Sequence, residues 1–159
     1  MMNPTDSVRL SPDDPFHLSR FTNAQEGHYQ NVLAELKTGQ KRTHWMWFIF
    51  PQISGLGRSE MAKHYAIKSE EEARQYLTHP VLGARLLKCV ETVFAIEGRT
   101  VSQIFGHPDD IKLRSCLTLF GSLAGPQSIF TKVLDKYFNG EKDGETLRLL
   151  KIWKNAQGS

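Results

Sequence analysis

From Phe21 onward, apolar residues recur at three- and four-residue spacing, the period of helices that bury one face. Phe21, Ala24, Tyr29, Val32, Leu33 and Leu36 fall largely on one stripe. The pattern predicts a first helix starting near Asp13-Asp14-Pro15, where acids suit the positive end of the helix dipole, and closing at Gly39. The block His44–Phe50 is apolar around most of its circumference and ends at Pro51. Periodicity alone fits either a short buried helix or a strand. The lack of a second convincing strand favours helix, because a lone strand has no partner for its backbone groups.

Local signals place the remaining elements. Ser59 is a candidate cap for a short helix reaching Tyr65, and Ser69 followed by Glu72 has the capping-box spacing. The helix after Ser69 carries Ala73, Tyr76 and Leu77 and stops near His79. Pro80 opens a longer one with Val81, Leu82, Leu86, Leu87, Val90, Val93, Phe94 and Ile96. Thr100 caps a short turn through Phe105. Pro108-Asp109-Asp110 starts a helix through Phe120, and Gly125-Pro126 separates it from Ile129–Phe138. A last amphipathic helix holds Leu147, Leu149, Leu150, Ile152 and Trp153. The expected fold is an all-α, compact orthogonal helical domain of about seven or eight helices joined by short loops. It spans residues 12–157 as a single domain behind a polar, disordered tail over 1–11.

Composition narrows the class. With 40% hydrophobic and 23% charged residues, the chain reads as an ordinary globular protein. No stretch approaches the length of a membrane span, and the first residues do not resemble a signal peptide. Cys89 and Cys116 sit within apolar helical patterns and read as buried free thiols of a reducing, cytoplasmic compartment. The formal charge is only +3 and the cations are interspersed with acids, so charge does not argue for nucleic-acid binding.

The densest candidate chemistry lies between Lys41 and Ser59. His44 is a candidate acid/base or polar contact sharing a helix face with Trp47 and Phe48. The alternative is a core histidine satisfied by a backbone carbonyl. Trp45 and Trp47 are candidate stacking groups for a planar ligand, or simply heavy packing units whose indole N–H groups need partners such as Gln52 or the Ser54 region. The loop Gln52–Ser59 adds an amide, Arg58, Ser59 and the glycines Gly55 and Gly57, a set able to hold an anion. Its spacing matches neither the phosphate-loop nor the dinucleotide pattern, and a tight turn between helices explains the glycines equally well. Lys112 and Ser115 share one side of their helix and would complete such a site if that side faces the loop.

His64, His79 and His107 lack the spacing and partners of a metal site, and no metal or cofactor is expected. His79 and His107 instead precede helices, where a neutral imidazole can cap.

The strings His44-Trp45-Met46-Trp47-Phe48-Ile49-Phe50-Pro51-Gln52, Ala62-Lys63-His64-Tyr65-Ala66-Ile67, His79–Leu86 and Ile104–Phe120 resemble a largely bacterial family known as domain of unknown function 1810. The likeness covers nearly all of the chain beyond the tail. It implies a single all-helical domain and brings no established activity. Cys116 departs from the serine more usual at that place in the family. Members have been labelled calpastatin, a disordered polar inhibitor, and the composition of this chain is that of a packed core.

These features lead to one expectation and one alternative. The expectation is a pocket between His44–Ser59 and the helices bearing Arg85 and Lys112, binding a small anionic, nucleotide-like ligand. His44 is the candidate catalytic residue for a hydrolase or transferase, and Trp45, Trp47, Gln52, Arg58, Ser59, Arg85, Lys112 and Ser115 are the ligand contacts. The alternative is a non-catalytic helical interaction module, which gains ground if His44, Gln52, Arg58 and Lys112 fail to converge on one cavity.

Overall fold

A computed structural model describes residues 13–157 of the chain; the expected tail over residues 1–11 lies outside the described residues. The fold is all-α, with ten helices among the described residues against the seven or eight expected. They are α1 (Ser19–Gln25), α2 (Tyr29–Lys37), α3 (Met46–Ile49), α4 (Glu60–His64), α5 (Glu70–Thr78), α6 (Leu82–Ala95), α7 (Val101–Phe105), α8 (Asp109–Ala124), α9 (Ile129–Phe138) and α10 (Gly144–Gln157). Helices α6 and α8 are central: α6 packs on α2, α5 and α9, and α8 packs on α5, α7, α9 and α10. None of the helices is long and apolar enough to cross a membrane.

The stripe expected to form one helix before Gly39 is broken in two. Gly27 adopts φ of 79°, a left-handed conformation that ends α1 and redirects the chain before α2. Both halves still deliver their apolar face, since Phe21, Val32 and Leu36 are completely buried. The cap signals fare better. Ser59 accepts from the Ala62 amide, Ser69 from Glu72, Thr100 from Gln103 and Ser128 from Thr131. The capping box is complete only at Thr100, where the Gln103 side chain also accepts from the Thr100 amide. At Ser69 the Glu72 carboxylate turns away to the Lys68 amide and to Arg20. His79 caps as expected, with Nδ1 accepting from the Val81 and Leu82 amides.

The aromatic block resolves the helix-or-strand ambiguity in favour of helix, over a shorter span than expected. Only Met46–Ile49 is helical. After Pro51 the chain extends, and Ile53 forms a parallel bridge with Ile67, the Ser54 amide donating to Ile67 O at 2.8 Å and the Ile67 amide to Gln52 O at 2.9 Å. This pairing pins Gln52–Ser54 against the segment leading into α5.

Two buried carboxylates organise the packing. Arg20 places its guanidinium on Glu72 at 2.5 Å and on four backbone carbonyls: Phe16, His17, His64 and Ala66. Glu35 accepts from the Arg42 and Thr43 amides, the Thr43 hydroxyl, the Asn31 amide and the Trp45 indole. It thereby folds the Gln40–Trp45 loop onto α2. Cys89 and Cys116 are buried and unpaired. Burial pushes the Cys89 thiol up to about 12 and Cys116 well above its ordinary value, so both remain neutral.

The tightest helix junction is at Gly83, where a Cβ would sit 2.1 Å from Leu77 O. Backbone, not a flexible side chain, occupies that space. Gly83→Ala is expected to cost about 1–3 kcal/mol through forced separation of α5 and α6. A urea midpoint equal to that of the wild type would show the junction to be looser than its geometry.

Candidate functional site

A recess of about 340 Å³ opens between the extended segment after α3, the short helix α4 and the polar end of α8. Trp47 comes from α3, Gln52, Ile53 and Leu56 from the segment after it, Ala62, Tyr65 and Ala66 from α4 and its exit, Ile111, Lys112 and Ser115 from α8, and Asp143 and Glu145 from the start of α10. The lining is mostly apolar with a few polar groups at its edges, the make-up common to small-molecule sites.

Local sequence dictates each placement. Pro51 ends the helical block just after the aromatic residues, so the next residues extend across the recess rather than along α3. The parallel bridge fixes Gln52, whose side-chain amide has no hydrogen-bond partner among the described residues. Asp109 and Asp110 complement the start of α8. Lys112, one turn in, lies with its ammonium 4.5 Å from the centre of the Trp47 ring and 3.4 Å from Asp109. Asp109 is shared, because Lys41 binds its other oxygen at 2.9 Å. The Ser115 hydroxyl donates to Ile111 O at 3.2 Å, as a helix-interior serine does. No imidazole or carboxylate is bonded to it among the described residues, so nothing there activates it as a nucleophile.

At the α10 end, Asp143 is the helix cap. Its Oδ2 accepts from the Thr146 amide and hydroxyl, while Oδ1 stands 3.8 Å from Arg114. Glu145 pairs with Arg148. Burial pushes the Tyr65 phenol above its ordinary value, keeping it a neutral hydroxyl.

Of the residues singled out from sequence, the structure brings Trp47, Gln52, Lys112 and Ser115 to this recess and leaves five outside it. His44 lies ahead of α3 rather than on it, exposed, because the helix starts only at Met46. It lines a second recess, of about 270 Å³, with Lys41, Met46, Trp47, His107, Pro108, Asp109 and Lys112. Trp45 is 1% exposed, and its indole donates to Glu35 rather than to Gln52 or Ser54, so it is a core residue and out of reach of a ligand in either recess. Arg58 is exposed and lines neither recess, and Ser59 uses its hydroxyl to cap α4. Arg85 packs over Tyr29 and donates to Gln25, which in turn holds Phe48 O. Its half-buried guanidinium braces α6 against α1 and α2.

Asp143, Glu145, Tyr65 and Leu56 were not anticipated. Asp143 has a legible signal, since Asp143-Gly144-Glu145-Thr146 opens the last helix with an acid at the cap position. Nothing local indicates that this start faces α8; that is set by how α10 packs.

No curated protein matches the chain. Among solved structures, the crystal structure of the conserved hypothetical protein Rv1873 from Mycobacterium tuberculosis is similar, with a TM-score of 0.84 and 48% sequence identity, covering 86% of this chain and 97% of that one. A family model described as protein of unknown function (DUF1810) matches residues 15–150, a span that includes every residue lining the two recesses. The chain therefore belongs to the DUF1810 family.

Proposed function

We propose that the recess binds a small, planar, largely apolar molecule that carries one anionic group. The observation that carries this reading is convergence. Trp47 and Gln52 meet Lys112 and Ser115, some sixty residues away in sequence, around a concave space. Trp47 and Tyr65 offer aromatic surface, Gln52 reads a donor–acceptor edge, and Lys112 meets the anion. Asp143 and Glu145, from the start of α10, accept from N–H groups on the ligand, which keeps a nucleotide-like compound within the class. Binding is favoured over catalysis because no base is bonded to Ser115 among the described residues and His44 stands outside the recess.

The test is native mass spectrometry of freshly purified protein with a thermal-shift screen of nucleotides, dinucleotides and sugar phosphates. A ligand at one hundred times its dissociation constant adds about 2.7 kcal/mol, a Tm rise on the order of 5–10 °C for a chain of this size. Lys112→Met is expected to remove most of that rise while leaving the unliganded Tm within about 2 °C, because its ion pair with Asp109 is partly exposed. A stabilising ligand whose effect survives both Lys112→Met and Gln52→Ala binds elsewhere and overturns the assignment.

A further inference from the structure

We propose that the second recess, on the other side of Trp47, is a subsite for the phosphate of a phosphate monoester whose planar body occupies the main recess. This rests on the binding role proposed for the main recess. The two recesses share two residues, Trp47 and Lys112, so the indole with its stacked ammonium forms the partition between them. A ligand that lies on Trp47 and extends past Lys112 reaches the second recess without leaving protein surface.

The chemistry on that side differs from the main recess. Its lining holds two lysines and two histidines against a single carboxylate. Asp109 uses its oxygens on Lys41 at 2.9 Å and Lys112 at 3.4 Å, so its charge is already spread over two ammoniums. Asp110, just behind, is bonded to His107 at 3.1 Å and to the Ile111 amide. Lys41 is nearly enclosed, held by Asp109 and Thr43 O and stacked over Trp45, which makes it a fixed charge rather than a waving side chain. Lys112 keeps ammonium protons for a ligand, since Asp109 is its only ion-pair partner among the described residues. The His44 ring has no hydrogen-bond partner among the described residues, and His107 leaves Nε2 free beyond its contact with Asp110. A phosphate monoester presents several acceptor oxygens to these groups, as cationic phosphate sites require. A recess of about 270 Å³ has room for that group. The arrangement also gives His44 a role that the main recess does not.

The experiment is a titration of labelled protein with inorganic phosphate, followed by NMR at the His44 and His107 imidazole and Trp47 indole resonances. Saturable shifts at all three, with a dissociation constant on the order of 1 mM, are expected. The double variant His44→Ala/His107→Ala should bind phosphate at least about tenfold more weakly, while Arg58→Ala, a cation outside both recesses, should bind as wild type. Both imidazoles are exposed, and thermal melting confirms that the variants fold. Imidazole resonances that do not move, or a double variant that binds phosphate as the wild type does, overturn the subsite. The screen of the main recess is read separately: planar compounds that bind through Lys112 and Gln52 without any phosphate response remove the subsite alone. A screen silent for every planar compound removes the main reading, whatever phosphate does.

Discussion

Arg20→Met is expected to destabilise the protein by about 3–5 kcal/mol, among the largest effects of any single substitution in the chain. Arg20 is 7% exposed and Glu72 2%, so the variant leaves a carboxylate buried without its counter-charge. It also strips the Phe16, His17, His64 and Ala66 carbonyls of a donor, the Ala66 bond being fully buried and the other three partly so. Against a total stability of about 5–15 kcal/mol, this brings the chain close to unfolding and lowers Tm by roughly 10 °C or more. Removing both charges with Arg20→Met/Glu72→Met should recover only part of the loss, because four of the five acceptors are backbone and cannot be removed. Urea midpoints of the two single variants and the double variant measure this directly. A single-variant loss below about 1 kcal/mol would show the pair to be solvated. The consequence reaches the site, since His64 and Ala66 flank Tyr65, and Tyr65 and Ala66 line one wall of the main recess.

Glu35→Gln should cost about 2–3 kcal/mol at neutral pH, with an effect that shrinks on acidification. Burial pushes the Glu35 carboxyl up, but bonds from the Thr43 hydroxyl, the Arg42 and Thr43 amides and the Trp45 indole outweigh it and hold the group at about 2 against an ordinary 4.5. Because the folded value is depressed, the carboxylate contributes fully above about 4.5, and that contribution is lost as pH falls through about 2. The wild type and Glu35→Gln should therefore converge across that window, measured by urea unfolding at stepped pH. A gap of constant size down to pH 2 would mean that the carboxylate is not what stabilises the loop. The loop carries Lys41 to Asp109, so the variant should also weaken any ligand that depends on Lys112.

These two residues explain why part of the protein was readable from its amino acids and part was not. Helical period and caps are local properties. The stripes through Val90 and Val93 or Val133 and Leu134, and the serine and threonine caps at Ser59, Ser69 and Thr100, sit where the pattern puts them. Glycine's choice at position 27 was not legible, because glycine permits a left-handed turn without requiring it, and packing of Phe21 and Val32 into the same core selects it. Glu35, Gln25 and Glu72 do leave a trace in the sequence, as polar residues interrupting apolar stripes, but the trace does not name their partners. Those partners are ten to sixty residues away: Trp45 for Glu35, Arg85 for Gln25, Arg20 for Glu72.

The recess divides in the same way. The aromatic block, Pro51 and the acid-led start of α8 specify, from short-range chemistry, that Trp47, Gln52 and Lys112 end up near element boundaries, with Ser115 one turn further into α8. That these four face one another, while His44 falls across Trp47 and Arg85 turns inward to Gln25, depends on the bridge from Ile53 to Ile67 and on how α8 crosses the extended segment. Helix formation is set by interactions within one or two turns of the chain, so the residues themselves encode it. Convergence of side chains is set by contacts between segments remote in sequence, whose free energies come from desolvation and shape and leave no periodic mark to read.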